Sequence, residues 1–138
     1  MATSSSPVLP QVPATNGVEP TQTTEMAPGT VAPTQIVTGT ADGLLVTDVT
    51  VTAEGTVTAD KVVLWVQPSG SGDWYVARTA VLAAYTQSAT DQQGFVKLVD
   101  GGDDTDVLRL GPNDNLGITH HVSQSVMALA QYTSYTAA

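Results

Sequence analysis

The stretch "GLLVTDVTVTAEGTVTADKVVLWVQ", residues 43–67, decides the fold. In its first part Leu45, Val49 and Val51 fall on one face of an extended chain, with Val46, Asp48, Thr50 and Thr52 on the other. That alternation is the period-two pattern of a half-buried strand. After the turn-forming "TAEGTVTAD", the segment "KVVLWVQ" places Val62, Leu64 and Val66 on one side and Val63 and Trp65 on the other. A strand that is apolar on both faces sits at the centre of a sandwich, or its outer face meets another subunit.

Outward from this stretch the pattern repeats. "PSGSGD" (68–73) is a loop by composition, and "WYVARTAVLAA" resumes the alternation. "FVKLV", "VLRL", "LGITHHV" and "SVMALAQYTSY" follow, separated by "YTQSATDQQG", "DGGDDTD" and "GPNDN". Short strands divided by Gly, Asp, Asn and Pro clusters predict an all-β fold, a single β-sandwich or jelly-roll-like domain over 34–138. Val126, Leu129 and Ala130 also fit helical spacing, but the β-branched and aromatic "YTSY" that follows favours a strand.

Residues 1–33 differ sharply. They hold six of the eight prolines and only two charged residues, Glu19 and Glu25. Proline fixes φ and removes a donor, so this Pro/Thr-rich segment is expected to be an extended N-terminal arm of polyproline II and turns, unable to build a sheet ladder. Yet it carries Val8, Leu9, Val12, Val18, Met26 and Val31, more apolar content than a solvated linker needs. Pro7, Pro10 and Pro13 share one ridge of a helix with three residues per turn, which pre-extends the arm and lowers the entropy lost on docking. If ordered, such an arm is held by its own body or by a neighbouring subunit.

Composition excludes several functions. Four Lys and Arg stand against thirteen Asp and Glu, a net charge of −9, and the cations Lys61, Arg78, Lys97 and Arg109 are scattered singly. Phosphate neutralisation needs clustered cations, so neither nucleic acid nor an anionic membrane surface is an expected partner. No run approaches the roughly 18 apolar residues that span a bilayer, and no export leader is expected. The absence of cysteine removes disulfides, thiolate metal sites and cysteine nucleophiles together.

Catalytic motifs are also missing. No G-x-S-x-G elbow, phosphate loop, metalloprotease helix or dinucleotide fingerprint occurs, so an enzyme is not expected and no catalytic residue, metal or cofactor is assigned. Asp100, Asp103, Asp104 and Asp106 in "DGGDDTD" have the oxygen chemistry that calcium takes, without EF-hand spacing; a solvated turn is the simpler reading. His120 and His121, adjacent on an expected strand, point to opposite faces and cannot share a metal within one chain. Val63, Trp65, Trp74 and Tyr75 form a candidate oligomer or ligand face, the aromatics being core, interface or sugar-platform residues.

Two segments, "LLVTDVTVTAEGTVTADKVVLWVQPSGSG" and "LRLGPNDNLGITHHVSQSVMALAQY", resemble the small β-sandwich domains of tailed-bacteriophage virion proteins. The strand ending in a Pro-Ser-Gly loop and the turn Leu110-Gly111-Pro112-Asn113-Asp114 carry the resemblance, with Asn113 where glycine usually precedes the aspartate. An extended arm before a compact sandwich is most similar to capsid decoration (cement) proteins. The resemblance implies a structural virion protein on the outer capsid surface, a homo-oligomer such as a trimer, bound to the major capsid protein. Its arm, through Pro7, Val8, Leu9, Pro10, Val12, Pro13, Met26 and Val31, would staple neighbouring coat subunits. The alternative is a receptor- or carbohydrate-binding knob or adaptor of a tail fibre, using the tryptophans and the Asp-rich loop.

Overall fold

The computed structural model describes the backbone of residues 8–102 and 106–137, and the side chains of 13–102 and 106–135. Within it run β1 (Val8–Val18), β2 (Thr21–Gln22), β3 (Thr34–Val37), β4 (Leu44–Ala53), β5 (Asp60–Gln67), β6 (Tyr75–Leu82), β7 (Phe95–Val99), β8 (Leu108–Leu110), β9 (Asn115–His120) and β10 (Val126–Ala137). They form two five-stranded sheets. In sheet I the order is β1-β10-β4, and β7 and β8 share the far edge of β4. In sheet II the order is β6-β5-β9, with β2 and β3 sharing the far edge of β9. The protein is an all-β sandwich, as the alternating pattern predicts.

The core lies between the sheets, where Leu44, Val46, Val49 and Val51 of β4 meet Val62 and Leu64 of β5 and Leu116 and Ile118 of β9, all fully buried. The face assignment of β5 is the one its sequence predicts. That of β4 is not: Val46 points inward with Leu44, and Leu45 points out. The cause is a β-bulge. Tyr132 pairs with Val46 and Gln131 with Asp48, leaving Thr47 as the extra residue, and one inserted residue exchanges the two faces of everything before it.

The N-terminal segment is extended, but the expectation that it forms no ladder is overturned. β1 runs antiparallel along β10 from Val8 opposite Ala137 to Val18 opposite Ala128. Its prolines are accommodated by position. Tyr135, opposite Pro10, gives its N–H to the Gly43 carbonyl on the β4 side (3.1 Å), so this row of β10 asks no donor of β1. Pro13, opposite Thr133, falls in the same phase because the register shifts between Pro10 and Val12, turning a three-residue spacing into an even one. Both prolines therefore lack their N–H on the outer side of an edge strand, where nothing is lost.

Beyond β1 the chain crosses to sheet II. The Asn16 side-chain amide donates to the Ile36 carbonyl (2.9 Å), and Val18 packs on the core. β2 lies parallel to the end of β9, continued by Thr23 N–H to the His120 carbonyl (2.8 Å). The segment read as a separate arm thus supplies strands to both sheets.

Candidate functional site

Two outer faces compete as partner surfaces, and the structure treats them differently. On sheet II, alternation along β5 turns Val63 and Trp65 outward, yet both are fully buried. Trp74, from the loop before β6, packs against them, and Met26 and Val31 from the N-terminal segment close the cluster. Gly117, opposite Trp65 on β9, makes this possible, since a Cβ there would lie 2.8 Å from the Pro33 Cβ and 2.9 Å from Trp74 Cζ3. The Trp65 Nε1–H donates to Thr119 Oγ1 at 2.9 Å, which satisfies the indole's only donor inside an apolar cover.

The sequence-predicted residues therefore separate. Val63, Trp65 and Trp74 come together as an internal cluster and present no face for a ligand or second subunit. Met26 and Val31, expected to dock on coat subunits, are half-buried against their own tryptophans. Tyr75 is exposed but pairs opposite Val66, on the face of sheet II opposite to Trp65. Pro7 lies outside the described residues, as do the side chains of Val8, Leu9, Pro10 and Val12, while Pro13 is exposed on the edge strand.

On sheet I the outer face is open. Met127 and Leu129 of β10 and Phe95 of β7 stand exposed. Beside Met127 and Leu129 a groove of about 450 Å³ is lined by Gly17, Glu19, Thr52, Glu54, Met127 and Leu129. Sequence reading missed this surface, although its signal was present: "VMALA" is apolar in both phases, as "KVVLWV" is. Val126, Ala128 and Ala130 take the core side, which leaves Met127 and Leu129 outside.

Polar residues fasten the ends of the sandwich. Asp60 is buried, and its carboxylate accepts from the N–H groups of His121 (2.9 Å) and Val122 (3.0 Å), from Gln124 Nε2 (3.1 Å) and from His120 Nδ1 (2.9 Å). An ionised carboxylate only accepts, so His120 carries its proton on Nδ1. Burial alone would raise the Asp60 carboxyl, but the Val122, His120, Gln124 and His121 donors together hold it below the ordinary carboxylate value. His120 joins this network through its ring, and His121, just beyond β9, joins it through its backbone N–H.

At the other end the two segments that resemble virion domains meet. Asp114 accepts from Ser69 N–H (2.8 Å) and Gly111 N–H (2.9 Å), tying the Pro-Ser-Gly loop to the "LGPND" turn. Asn113 takes φ +60°, the left-handed geometry that its amide side chain tolerates. The Asp-rich loop is also internally engaged: Asp106 pairs with Arg78, and Asp100 accepts from Gly102 N–H at 3.0 Å. Asp103 and Asp104 lie outside the described residues. Among the described residues no cluster of His, Asp and Glu could hold a metal, and no helix is long and apolar enough to cross a membrane.

No family model matches the sequence, and no curated protein matches it. Among solved structures the chain is similar to Eiger TNF from S. frugiperda, with a TM-score of 0.53 and 12% identity, over 94% of this chain and 96% of that one. At that identity the likeness concerns the fold alone, a TNF-like jelly-roll sandwich.

Proposed function

We propose that this protein is a structural, non-enzymatic binding protein of a tailed-bacteriophage virion, a capsid decoration protein that sits on the outer shell as an oligomer. The observation that carries the reading is the joining of the two resembling segments into one end of the sandwich through Asp114. The use of Asp60, His120 and Asp114 for fastening accords with a structural role.

The mechanism differs from a free staple in one respect. Met26 and Val31 belong to the body, so contact with coat subunits falls to the segment through Pro13 and to exposed surface. Strand addition at the outer edge of β1 is impeded, because Pro10 and Pro13 offer no N–H there. Docking then depends on apolar side chains such as Val8, Leu9 and Val12, each stabilising by about 1.5–3 kcal/mol when fully buried, before ordering costs. Several arms per oligomer combine by effective concentration.

The test is to label the protein and image purified virions that carry it. Label distributed over the shell is expected; label confined to the tail would overturn the reading. Removing residues 1–12 should keep the sandwich folded and abolish retention on shells, and undiminished retention would sink the docking role of the segment. The sugar-platform alternative loses both its tryptophans, since Trp65 is fully buried and Trp74 is 9% exposed, and keeps Tyr75 alone as an exposed aromatic.

A further inference from the structure

We infer that the Asn16–Gly17 step of β1 is a site of spontaneous deamidation, and that the conversion unfastens β1 from sheet II. The chemistry belongs to the isolated chain and holds whatever the chain attaches to.

An asparagine amide is attacked most readily by the next backbone nitrogen when that residue is glycine, because no Cβ obstructs the approach. The chain has three asparagines, Asn16, Asn113 and Asn115, and Asn16 is the one that precedes glycine. β1 leaves both reactants accessible: Asn16 and Gly17 are exposed, on an edge strand of sheet I. Gly17 pairs opposite Leu129, four residues after Pro13 and with no register shift between them. Its N–H therefore points to the outer side of β1, in the phase of the Pro13 nitrogen, and gives no hydrogen bond to β10. That nitrogen is open to the loss of its proton that makes it a nucleophile.

The same asparagine fastens the strand. Its Nδ2 donates to the Ile36 carbonyl at 2.9 Å, and Ile36 is the residue that the bulge between Gln35 and Val37 leaves out of the β3–β9 pairing. This bond turns the amide toward sheet II while the Gly17 nitrogen faces outward, so reaction follows a local opening of β1. An edge strand with mostly exposed side chains opens at low cost. In the opened strand the Gly17 nitrogen attacks Asn16 Cγ. The N–Cγ bond forms, the Cγ–Nδ2 bond breaks, and ammonia leaves with the proton that the nitrogen gave up. Water then opens the cyclic imide at either carbonyl. One opening leaves aspartate on the original backbone; the other routes the backbone through Cβ and Cγ and adds a main-chain atom. Either product sets a carboxylate, which only accepts, against the Ile36 carbonyl. The second also breaks the alternation that pairs β1 with β10.

Peptide mass spectrometry of the full chain, held in mildly alkaline buffer, tests the site. Asn16 should gain the mass of an amide-to-acid conversion at least about tenfold faster than Asn113 or Asn115. Gly17→Ala should slow that conversion by a similar factor without disturbing the fold, since its Cβ makes only ordinary contacts, 3.5 Å from Leu129 Cδ1 and 3.7 Å from the Ala128 carbonyl. Hydrogen exchange of Asn16→Asp, which reproduces one product, tests the consequence. The Ala128 and Ala130 amides, which face β1, should exchange at least about threefold faster than in wild type, and those of the β5–β6 ladder should not change. Conversion at Asn16 no faster than at the other asparagines, conversion unslowed in Gly17→Ala, or β10 amides that keep the wild-type rate in Asn16→Asp would each overturn the proposal.

Discussion

The outer faces of the two sheets carry similar apolar residues, and their central strands have opposite fates, although Val76 and Val81 of β6 stay exposed at the edge of sheet II. On sheet II, Val63 and Trp65 would be exposed by alternation, but Met26, Val31 and Trp74 cover them. On sheet I, Phe95, Met127 and Leu129 have no such cover. An apolar outer face thus marks a missing partner only after the rest of the chain has been searched for one. Here the cover comes from a segment that composition had set apart from the domain.

The largest test of that contrast is deletion. Removing residues 2–33 takes away β1, β2 and the cover over Trp65, so the remaining chain should fail to give a cooperative unfolding transition, whereas removal of residues 1–7 should leave one. A sharp thermal transition in the longer deletion would show that the segment is only an appendage. Next in size, Trp65→Ala should cost about 3–5 kcal/mol in denaturant unfolding, from a lost buried ring and a stranded Thr119 hydroxyl. Phe95→Ala on the open face should change the dilute monomer by less than about 0.5 kcal/mol.

Asp60→Asn probes the fastening of sheet II and should cost about 2–3 kcal/mol at neutral pH, because buried donors lose a charged acceptor. The folded carboxyl is depressed, so its contribution is full above the unfolded value, about 4, and is lost as pH falls through the folded value. Unfolding free energies measured from pH 7 downward should therefore show wild type and variant converging in acid; a constant gap would remove Asp60 from the account. Smallest is the pair Met26→Ala, at about 1–2 kcal/mol, and Met127→Ala, at about 0.5 or less. Equal costs would erase the distinction between covered and open.

Much of this was legible beforehand, and the misses have physical causes. The two apolar phases of "KVVLWV" announced a strand covered on both sides, and Asn113 fulfilled its left-handed role. The face of β4 was misread at Leu45 and Val46 because a bulge at Thr47 shifts phase without any residue type that announces it. The N-terminal prolines argued against a ladder because proline lacks a donor, but an edge strand uses only alternate donors. A bulge after Pro10 put Pro10 and Pro13 on the unused side. The cover of Met26 and Val31 over Trp65 joins residues nearly forty positions apart, a distance at which no periodicity speaks.

Two glycines that face outward on the two sheets offer the most direct test. Gly117 lies beneath Pro33 and Trp74, whereas Gly17 opens onto the groove. With dilute protein, Gly117→Ala should lower the melting temperature by roughly 6–10 °C, the effect of about 2 kcal/mol of overpacking. Gly17→Ala should leave it unchanged or slightly raised, since alanine suits a strand better than glycine. Melting temperatures lowered equally, or an unaffected Gly117→Ala, would contradict the sealing of sheet II over Trp65 and the openness of sheet I over Gly17.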